Sequence, residues 1–295
     1  MSLELPKRFR RAAIGGLMVA ALLLLSGCSQ DQEGEIKRLA MPVASTKEAP
    51  LIHDLWMWSW LAAMLTGIVV WGLIIYAAIR YYRRSESEIP VQTRYNLPIE
   101  IFYTIAPVMM VIVFFYFTVD VQNKVLHVDD NPDQNVTVVG QQWSWTFNYN
   151  LTYDEDTEEY ESDGDGEVVY DVGTTADRPV LWLVKDQSVT FHLESPDVVH
   201  SFWVPGFLFK MDVVPGRHNE FTLTPTRSGT FEGRCAELCG VYHSRMLFDV
   251  KVVDQAEYDE HLEALAEEGN TGPALGASET ARTPGLESEE STGGE

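Results

Sequence analysis

The chain has 295 residues, of which 45% are hydrophobic, and it carries a formal net charge of -23 at pH 7. This length allows one or two domains with a real core in addition to membrane segments. The negative charge argues against nucleic acid or an anionic membrane surface as a partner. It favours a basic protein partner, although an acidic solvated surface would give the same composition.

The first 27 residues have the features of a secretion signal. A positively charged start is followed by the apolar run 12–25, which is too short to span a bilayer comfortably as a helix. The run ends in Leu-Ser-Gly-Cys, which resembles the bacterial lipobox, where the chain is cut and the cysteine is lipidated. We therefore predict a lipoprotein signal peptide over 1–27, a lipid on Cys28 and an exoplasmic tether over 28–52. An ordinary signal peptide with a chance cysteine is the alternative.

Two long apolar runs predict a transmembrane hairpin over residues 53–120. The runs, at about 55–79 and 99–119, each supply the ~20 helical residues that a ~30 Å hydrocarbon layer requires. The link between them is rich in arginine, so the positive-inside rule places it in the cytoplasm. The N-terminus and the chain after residue 120 then lie outside the bacterial cytoplasmic membrane. Two buried helices of a soluble protein are the alternative.

Glu100 is the one charged residue of the second apolar run. A carboxyl group near the hydrocarbon layer is costly and is therefore a candidate for function. Its place at the cytoplasmic end of the helix would also let the side chain reach water with no further role. The residues alone favour neither interpretation.

Short β-branched and aromatic segments predict an all-β domain, which we assign to residues 121–253. Gly, Pro, Asp and Asn separate these segments at the spacing of a β-sandwich or Greek-key barrel. The predicted strands are 135–139, 143–149, 179–184, 189–193, 220–224 and 247–253. Residues 154–167 include nine acidic residues and are interpreted as an acidic surface insertion. The segment 254–295 is predicted to be an acidic tail, with a short helix at 254–268 and disorder beyond it.

Four potential metal ligands lie within the twelve residues 235–246. They are two thiols, an imidazole and a thioether, contributed by Cys235, Cys239, His243 and Met246. Thiolate and thioether are soft ligands and imidazole suits copper, so the set favours a copper site. His200, which follows a Pro-Asp turn at the start of another predicted strand, offers a second imidazole.

The residues leave four interpretations of this cluster open. A disulfide between Cys235 and Cys239 would be natural outside the membrane, but it leaves the histidines and the methionine unexplained. Structural zinc could use two thiolates and two imidazoles, although methionine is a poor zinc ligand. A mononuclear blue-copper site needs only one of the two cysteines. Two copper ions bridged by both thiolates, with one histidine each, are the interpretation that we favour.

The run Cys-x-Glu-x-Cys-Gly-x-x-His-x-x-Met at 235–246 resembles the CuA loop of subunit II of haem-copper cytochrome c oxidases. Similar segments surround His200 and occupy residues 210–217, and the aromatic stretch 140–145 also resembles the family pattern. Glu100, seven residues before Pro107, matches the family's carboxylate at the base of the second helix. The resemblance covers roughly residues 50–253, with the hairpin and the β-domain in the family's order.

The resemblance implies a cupredoxin-like Greek-key β-sandwich that holds two copper ions. The implied ligands are the bridging thiolates of Cys235 and Cys239, the imidazoles of His200 and His243, the thioether of Met246 and the carbonyl of Glu237. The Glu237 side chain would face a magnesium or manganese ion at the boundary with the catalytic subunit. Trp143 would be the indole that receives the electron, and Glu100 would begin a proton pathway.

The implied function is to take electrons from cytochrome c and pass them to haem in the catalytic subunit I, which alone holds haem. That subunit reduces oxygen to water and pumps protons, and other oxidase subunits complete the assembly. The cytochrome could be soluble or membrane-tethered, in the latter case within a respiratory supercomplex. Competing functions are a quinol oxidase subunit without copper ligands, a membrane-anchored copper chaperone or store, and a scaffolding lipoprotein.

Overall fold

The computed structural model describes residues 30–276, apart from residues 86, 88, 90, 91, 155, 156, 164 and 165. The chain forms two compact units, one ending at Pro42 and the other beginning at Val43. The described part of the first unit contains helix α1 (Gln30–Lys37). The predicted signal peptide and the predicted lipid on Cys28 lie outside the described residues.

Two long helices open the second unit, α2 (Ala49–Arg80) and α3 (Leu97–Val125). Their most apolar windows have mean hydropathies of 2.2 and 2.1, so both are long and apolar enough to cross a membrane, by length and composition. α2 begins at residue 49 rather than 55, because Pro50 is well suited to the first turn of a helix. α3 ends at residue 125 rather than 119, and Asp120 and Lys124 form an ion pair at 2.7 Å on this added turn.

Residues 43–48, here called the strap, lie along the β-domain. The backbone of Ser45 donates to the carbonyl of Gly206 at 3.0 Å and accepts from the N–H of Thr226 at 2.8 Å. The Glu48 carboxylate accepts another backbone N–H of the β-domain at 3.1 Å. The strap is therefore fixed to the β-domain, which the prediction of a tether over 28–52 did not anticipate. Its polar groups satisfy backbone groups of loops distant in sequence, a relationship that composition does not reveal.

The β-domain consists of two five-stranded sheets and a separate two-stranded hairpin. The strands are β1 (Gln134–Gln141), β2 (Ser144–Tyr149), β3 (Leu151–Asp154), β4 (Glu159–Ser162), β5 (Val169–Val172), β6 (Val180–Val184), β7 (Val189–Glu194), β8 (His200–Val204), β9 (Phe209–Val213), β10 (Asn219–Leu223), β11 (Gly229–Cys235) and β12 (Leu247–Val253). One sheet has the order β10-β7-β1-β2-β5 and the other β6-β12-β11-β8-β9. The predicted fold class, an apolar helical hairpin followed by an all-β sandwich, is confirmed.

Buried aromatic rings fill the space between the two sheets. Phe202 and Phe248 stack with their centroids 5.0 Å apart, and Trp145 meets Phe248 edge-on at 5.3 Å. All three side chains are buried. Interdigitated rings of this kind hold the strands in one arrangement, so the ends of β8, β11 and β12 form a firm base for the loop 235–246.

The acidic insertion forms an ordered hairpin, β3 with β4, over the residues that the structure describes there. The Tyr160 hydroxyl donates to the Glu194 carboxylate at 2.7 Å. The ring of Tyr153 stacks on His218 at 3.6 Å. The hairpin is thus anchored to the first sheet, and the side chains of Glu158, Glu159 and Glu161 are exposed.

The predicted helix after the β-domain is present as α4 (Gln255–Glu267), which buries Tyr258 and Leu265 against the sandwich. Residues 269–276 then bond to the edge of the first sheet, with Tyr170 donating its N–H to the Asn270 carbonyl at 3.0 Å. The prediction of disorder is wrong for these residues, because pairing with β5 satisfies their backbone groups. Residues 277–295 lie outside the described part.

The contact between His261 of α4 and Trp182 is expected to be sensitive to acid. The ring of His261 stacks on Trp182 at 4.2 Å, and burial together with the nearby charge of Lys251 lowers its pKa to about 4. The unfolded chain binds a proton at this residue near pH 6.5, and the folded chain does so only near pH 4. Stability from this residue is therefore complete above pH 6.5 and is lost as the pH falls through this window. After allowance for solvent screening we expect a loss of about 1 kcal/mol.

The measurement is the melting temperature of wild type and His261→Phe in detergent at pH 7 and pH 4.5. The phenylalanine keeps the stacking but does not titrate, so its melting temperature should fall less on acidification. Equal falls in the two proteins would show that His261 does not carry the effect.

Candidate metal centre

The loop 235–246 joins β11 to β12 at the end of the second sheet. Cys235 is the last residue of β11, and its N–H donates to the carbonyl of Met246 at 3.0 Å, which closes the base of the loop. A short 3₁₀ turn, His243–Arg245, precedes Met246. Cys235, Cys239 and Met246 are all buried. The fold therefore turns these sulfur atoms inward, toward the aromatic core.

The sulfur atoms are close but not bonded. The Sγ atoms of Cys235 and Cys239 lie 3.9 Å apart, about twice the ~2.05 Å of a disulfide, and both thiols are free. Cys239 Sγ also lies 3.6 Å from His243 Nδ1 and 3.7 Å from Met246 Sδ. Cys239 is therefore in reach of three other potential ligands.

The second histidine comes from a neighbouring strand. His200 begins β8, which pairs with β11, and its side chain is fully buried. Its Nδ1 lies 3.9 Å from Cys235 Sγ, and its Nε2 lies 2.9 Å from the Asp197 carboxylate. Asp197 thus orients the ring so that Nδ1 faces the sulfur atoms, as is usual for metal-binding histidines.

Hydrogen bonds and burial set the ionisation of the site. The hydrogen bond with Cys239, helped by His200, lowers the pKa of Cys235 despite burial, whereas the same hydrogen bond and burial raise the pKa of Cys239. Burial acts to lower the pKa of His200, but its hydrogen bonds with Asp197 and Cys235 outweigh burial and raise it. Metal binding at both thiols therefore requires the release of the Cys239 proton.

The donor set and its spacing fit a soft metal. Metal–sulfur bonds of about 2.3 Å and metal–nitrogen bonds of about 2.0 Å separate two ligands of one tetrahedral ion by about 3.5 Å. The observed separations of 3.6–3.9 Å are close to this value. The carbonyl oxygen of Glu237 lies 3.1 Å from Cys235 Sγ and adds one more donor. A cluster with two thiols, imidazole and thioether is consistent with copper.

The two imidazoles lie beside different sulfur atoms. Among the described residues, one group of three such ligands has all its ligand atoms within 4.8 Å of one another: His200, Cys235 and Cys239. His243 does not belong to that group and instead approaches Cys239. A single tetrahedral ion would require all four ligands close together, so this arrangement favours two ions over one.

Trp143 lies against the same loop. Its indole N–H donates to the carbonyl of Cys239 at 3.2 Å, and its ring meets that of Tyr242 edge-on at 5.1 Å. A Cβ atom on Gly240, whose φ is +126°, would lie 3.0 Å from the indole nitrogen. The close approach of the half-buried indole to the loop therefore depends on glycine at this position.

Comparison with known proteins identifies the family. The sequence profile described as cytochrome c oxidase subunit II, periplasmic domain, matches residues 134–253. The probable cytochrome c oxidase subunit 2 of Streptomyces avermitilis is 45% identical over 294 residues, covering 90% of this chain and 91% of that protein. The chain belongs to the cytochrome c oxidase subunit II family.

A second relative shows the same relationship at lower identity, and one solved structure is similar to part of the chain. Cytochrome c oxidase subunit 2 of Corynebacterium glutamicum is 34% identical, with 86% of this chain and 84% of that protein covered. The crystal structure of the periplasmic domain of subunit II (CoxB) of Bradyrhizobium japonicum is 24% identical, with a TM-score of 0.40. It covers 48% of this chain and 99% of its own. Membership of the subunit II family makes this chain part of an oxidoreductase assembly.

The carboxylates of two residues singled out in the sequence are not part of the sulfur cluster of this subunit II chain. Glu100 is in the first turn of α3, and its carboxylate accepts the N–H of Asn96 at 2.9 Å, so it caps the helix. The Glu237 side chain is exposed and lines a polar cavity with Lys210 and Arg217. The structure thus gathers the sulfur and imidazole ligands and Trp143, and leaves these two carboxylates elsewhere.

Sequence reasoning missed Asp197 and Gln142. Asp197 is three residues before His200, and an acidic residue at that distance from a potential metal-binding histidine was a usable signal. Gln142 donates its side-chain N–H to the Cys239 carbonyl at 2.7 Å, across 97 positions of sequence. No local pattern distinguishes it from the neighbouring Gln141.

Proposed function

We propose that the chain is the electron-accepting subunit of a haem-copper cytochrome c oxidase. When bound, two copper ions would accept an electron from cytochrome c and pass it to haem in the catalytic subunit, where oxygen is reduced to water and protons are pumped. One observation carries the proposal: two buried sulfur atoms lie 3.9 Å apart, with a different imidazole beside each.

The chain's own residues supply a rigid ligand set. Cys235, Cys239, His200 and His243 would hold the copper ions, with Met246 and the Glu237 carbonyl as weaker ligands. Asp197 fixes the buried ring of His200, and the backbone hydrogen bond between Cys235 and Met246 closes the loop. Ligands fixed in this way rearrange little when the charge of the site changes, which favours fast electron transfer.

The deciding experiment is the copper content of the full chain, purified in detergent and loaded with copper, together with its electron paramagnetic resonance spectrum. We expect two copper ions per chain and hyperfine splitting from one electron shared by both nuclei. One copper ion, or a readily lost metal, would instead support a mononuclear carrier or a copper store. A metal-free chain would support a scaffold.

Trp143 would receive the electron from cytochrome c. Trp143→Phe keeps an aromatic ring but removes the N–H that bonds to the Cys239 carbonyl. We expect normal copper content and a roughly hundredfold slower reduction of the copper centre by cytochrome c, because reaction rates are sensitive to displacements of about 1 Å. Stopped-flow absorbance measures this rate. Trp182→Phe is the matched control, because Trp182 lies in β6, the edge strand of the second sheet, and stacks on His261 of α4. An unchanged rate in Trp143→Phe would remove this role.

The same proposal includes three further assignments. The arginine-rich link between α2 and α3 would lie in the cytoplasm, so the β-domain would lie outside the bacterial cytoplasmic membrane. The Glu237 side chain would hold magnesium or manganese together with the catalytic subunit, and Glu100 would begin a proton pathway. Loss of bound manganese in Glu237→Gln, and slower proton uptake in Glu100→Gln, are the expected results. Wild-type values would contradict the respective assignment.

We also propose that the acidic hairpin β3–β4 attracts a basic cytochrome, either soluble or tethered in a supercomplex. Glu158 in its turn and Glu159 and Glu161 on β4 are exposed. Changing all three to glutamine should raise the KM for a basic cytochrome c about threefold at low salt, and the difference should vanish at high salt. The control removes the same charge from α4 through Glu260→Gln, Glu263→Gln and Glu267→Gln. An equal effect in the control would show a general charge effect and no docking role for the hairpin.

A further inference from the structure

Gln142 contacts the loop that carries the cysteine ligands. It lies between β1 and β2, next to Trp143, and its side-chain amide donates to the Cys239 carbonyl at 2.7 Å. The Trp143 indole donates to the same carbonyl at 3.2 Å. The Gln142 bond is the shorter of the two and therefore the main constraint on this carbonyl.

Gln142 also contacts the segment that carries His200. Its backbone N–H donates to one carboxylate oxygen of Asp197 at 2.6 Å. The other oxygen of Asp197 lies 2.9 Å from His200 Nε2. Gln142 thus bonds both to the segment that carries His200 and to the loop that carries Cys239, and it is adjacent in sequence to Trp143.

Apart from the buried Cys239 and the contact of Tyr242 with Trp143, the outer part of the loop packs little against the domain. Leu238 and Val241 flank Cys239 and Gly240, and their side chains are 77% and 82% exposed, so they contribute little packing within this chain. A Cβ on Gly240 would lie 3.2 Å from the Gln142 amide nitrogen. The loop therefore approaches Gln142 and Trp143 closely at Gly240, a residue with high backbone freedom. The two N–H donors of Gln142 and Trp143 fix the position of the loop there.

We propose that Gln142 is a positioning residue that fixes the Cys239 carbonyl, and thereby the spacing between the Trp143 indole and the copper ligands. This inference rests on the proposed function. Gln142 touches neither the electron donor nor the metal in this role. It acts through Cys239 by its side chain and through Asp197 and His200 by its backbone.

The test replaces Gln142 by methionine in the assembled oxidase. Methionine has a similar length but lacks the N–H donor. Gln141→Met is the matched control, because Gln141 is the buried neighbour of Gln142 and its amide donates to the Thr146 hydroxyl at 3.4 Å. For Gln142→Met we expect a three- to tenfold slower reduction of copper by cytochrome c, counted per bound copper, on the order of the loss of one hydrogen bond. We also expect altered hyperfine splitting of the copper signal, with a KM for cytochrome c within about twofold of wild type.

A double-mutant cycle with Trp143→Phe separates positioning from simple loss of stability. If both N–H groups act through the Cys239 carbonyl, the double variant should be slower than either single variant by less than the product of their effects. Multiplicative effects, or a wild-type rate and spectrum in Gln142→Met, would overturn the proposal. So would a lower melting temperature with an unchanged rate per copper.

Should Gln142→Met fail to assemble, Gln142→Asn decides by the same measurements, because its amide is one methylene too short to keep the contact with the carbonyl. Failure of the underlying function would look different. A wild-type chain without a two-copper signal would remove the proposed function itself. A normal wild-type signal with unaffected Gln142 variants would remove only the positioning role.

Discussion

Cys239→Ser is expected to abolish the two-copper signal while the β-domain stays folded. Cys239 Sγ lies within 3.6–3.9 Å of Cys235, His243 and Met246, so it is the ligand shared by most of the site. A serine hydroxyl fills nearly the same space but is a poor ligand for copper, because it is harder and stays protonated. We expect at most one weakly held copper ion per chain and no spectrum from an electron shared between two nuclei.

Copper analysis after gel filtration, with circular dichroism as the measure of folding, checks this result. Cys235→Ser should behave in the same way if both thiolates bridge. Ser244→Ala is the control, since Ser244 is exposed in the same 3₁₀ turn and is not part of the proposed ligand set. Two tightly held copper ions in Cys239→Ser would show that the sulfur atoms do not form the bridge.

The strands that could be predicted are those with β-branched or aromatic runs. All six predicted segments correspond to observed strands, and the segment 247–253 matches β12 at both ends. β9 and β11 are among the strands that were missed. The sequence of β11, Gly-Thr-Phe-Glu-Gly-Arg-Cys, mixes charged residues and glycine with few apolar ones, whereas β9, Phe-Lys-Met-Asp-Val, is a short segment that alternates apolar and charged residues. Pairing with neighbouring strands stabilises them, and a local pattern does not record that pairing.

The ligands of the candidate site could be predicted because four of them fall in one short segment with a distinctive set of atoms. The groups that orient them could not be predicted in this way. Asp197, Gln142 and the Cys239 carbonyl meet only when β1, β8 and the loop are brought together. These contacts join residues 55 and 97 positions apart. Gln142 has no distinctive local sequence pattern, and only the tertiary structure brings Asp197 and Gln142 to the ligands that they orient.

Gly233→Ala is expected to destabilise the β-domain strongly, although it adds only a methyl group. Gly233 is buried in β11 directly opposite Phe248 of β12, and an added Cβ would overlap the Phe248 ring. That ring cannot move aside easily, because Phe202 and Trp145 pack on it at 5.0 and 5.3 Å. Overpacking of this kind costs about 3 kcal/mol, and the melting temperature should fall by roughly 10 °C.

The effect should extend to the copper site through Trp145. The Trp145 indole N–H lies 3.4 Å from the Met246 carbonyl, and its ring lies 6.2 Å from that of His200. Movement of Phe248 would therefore shift two ligand-bearing segments, and Gly233→Ala should also retain less copper. Phe248→Leu provides the test of this mechanism, because a smaller side chain opposite residue 233 makes room for the methyl group. The double variant should lose less free energy of unfolding than the two single variants lose together. Strictly additive losses would show that the Gly233–Phe248 contact is not the cause.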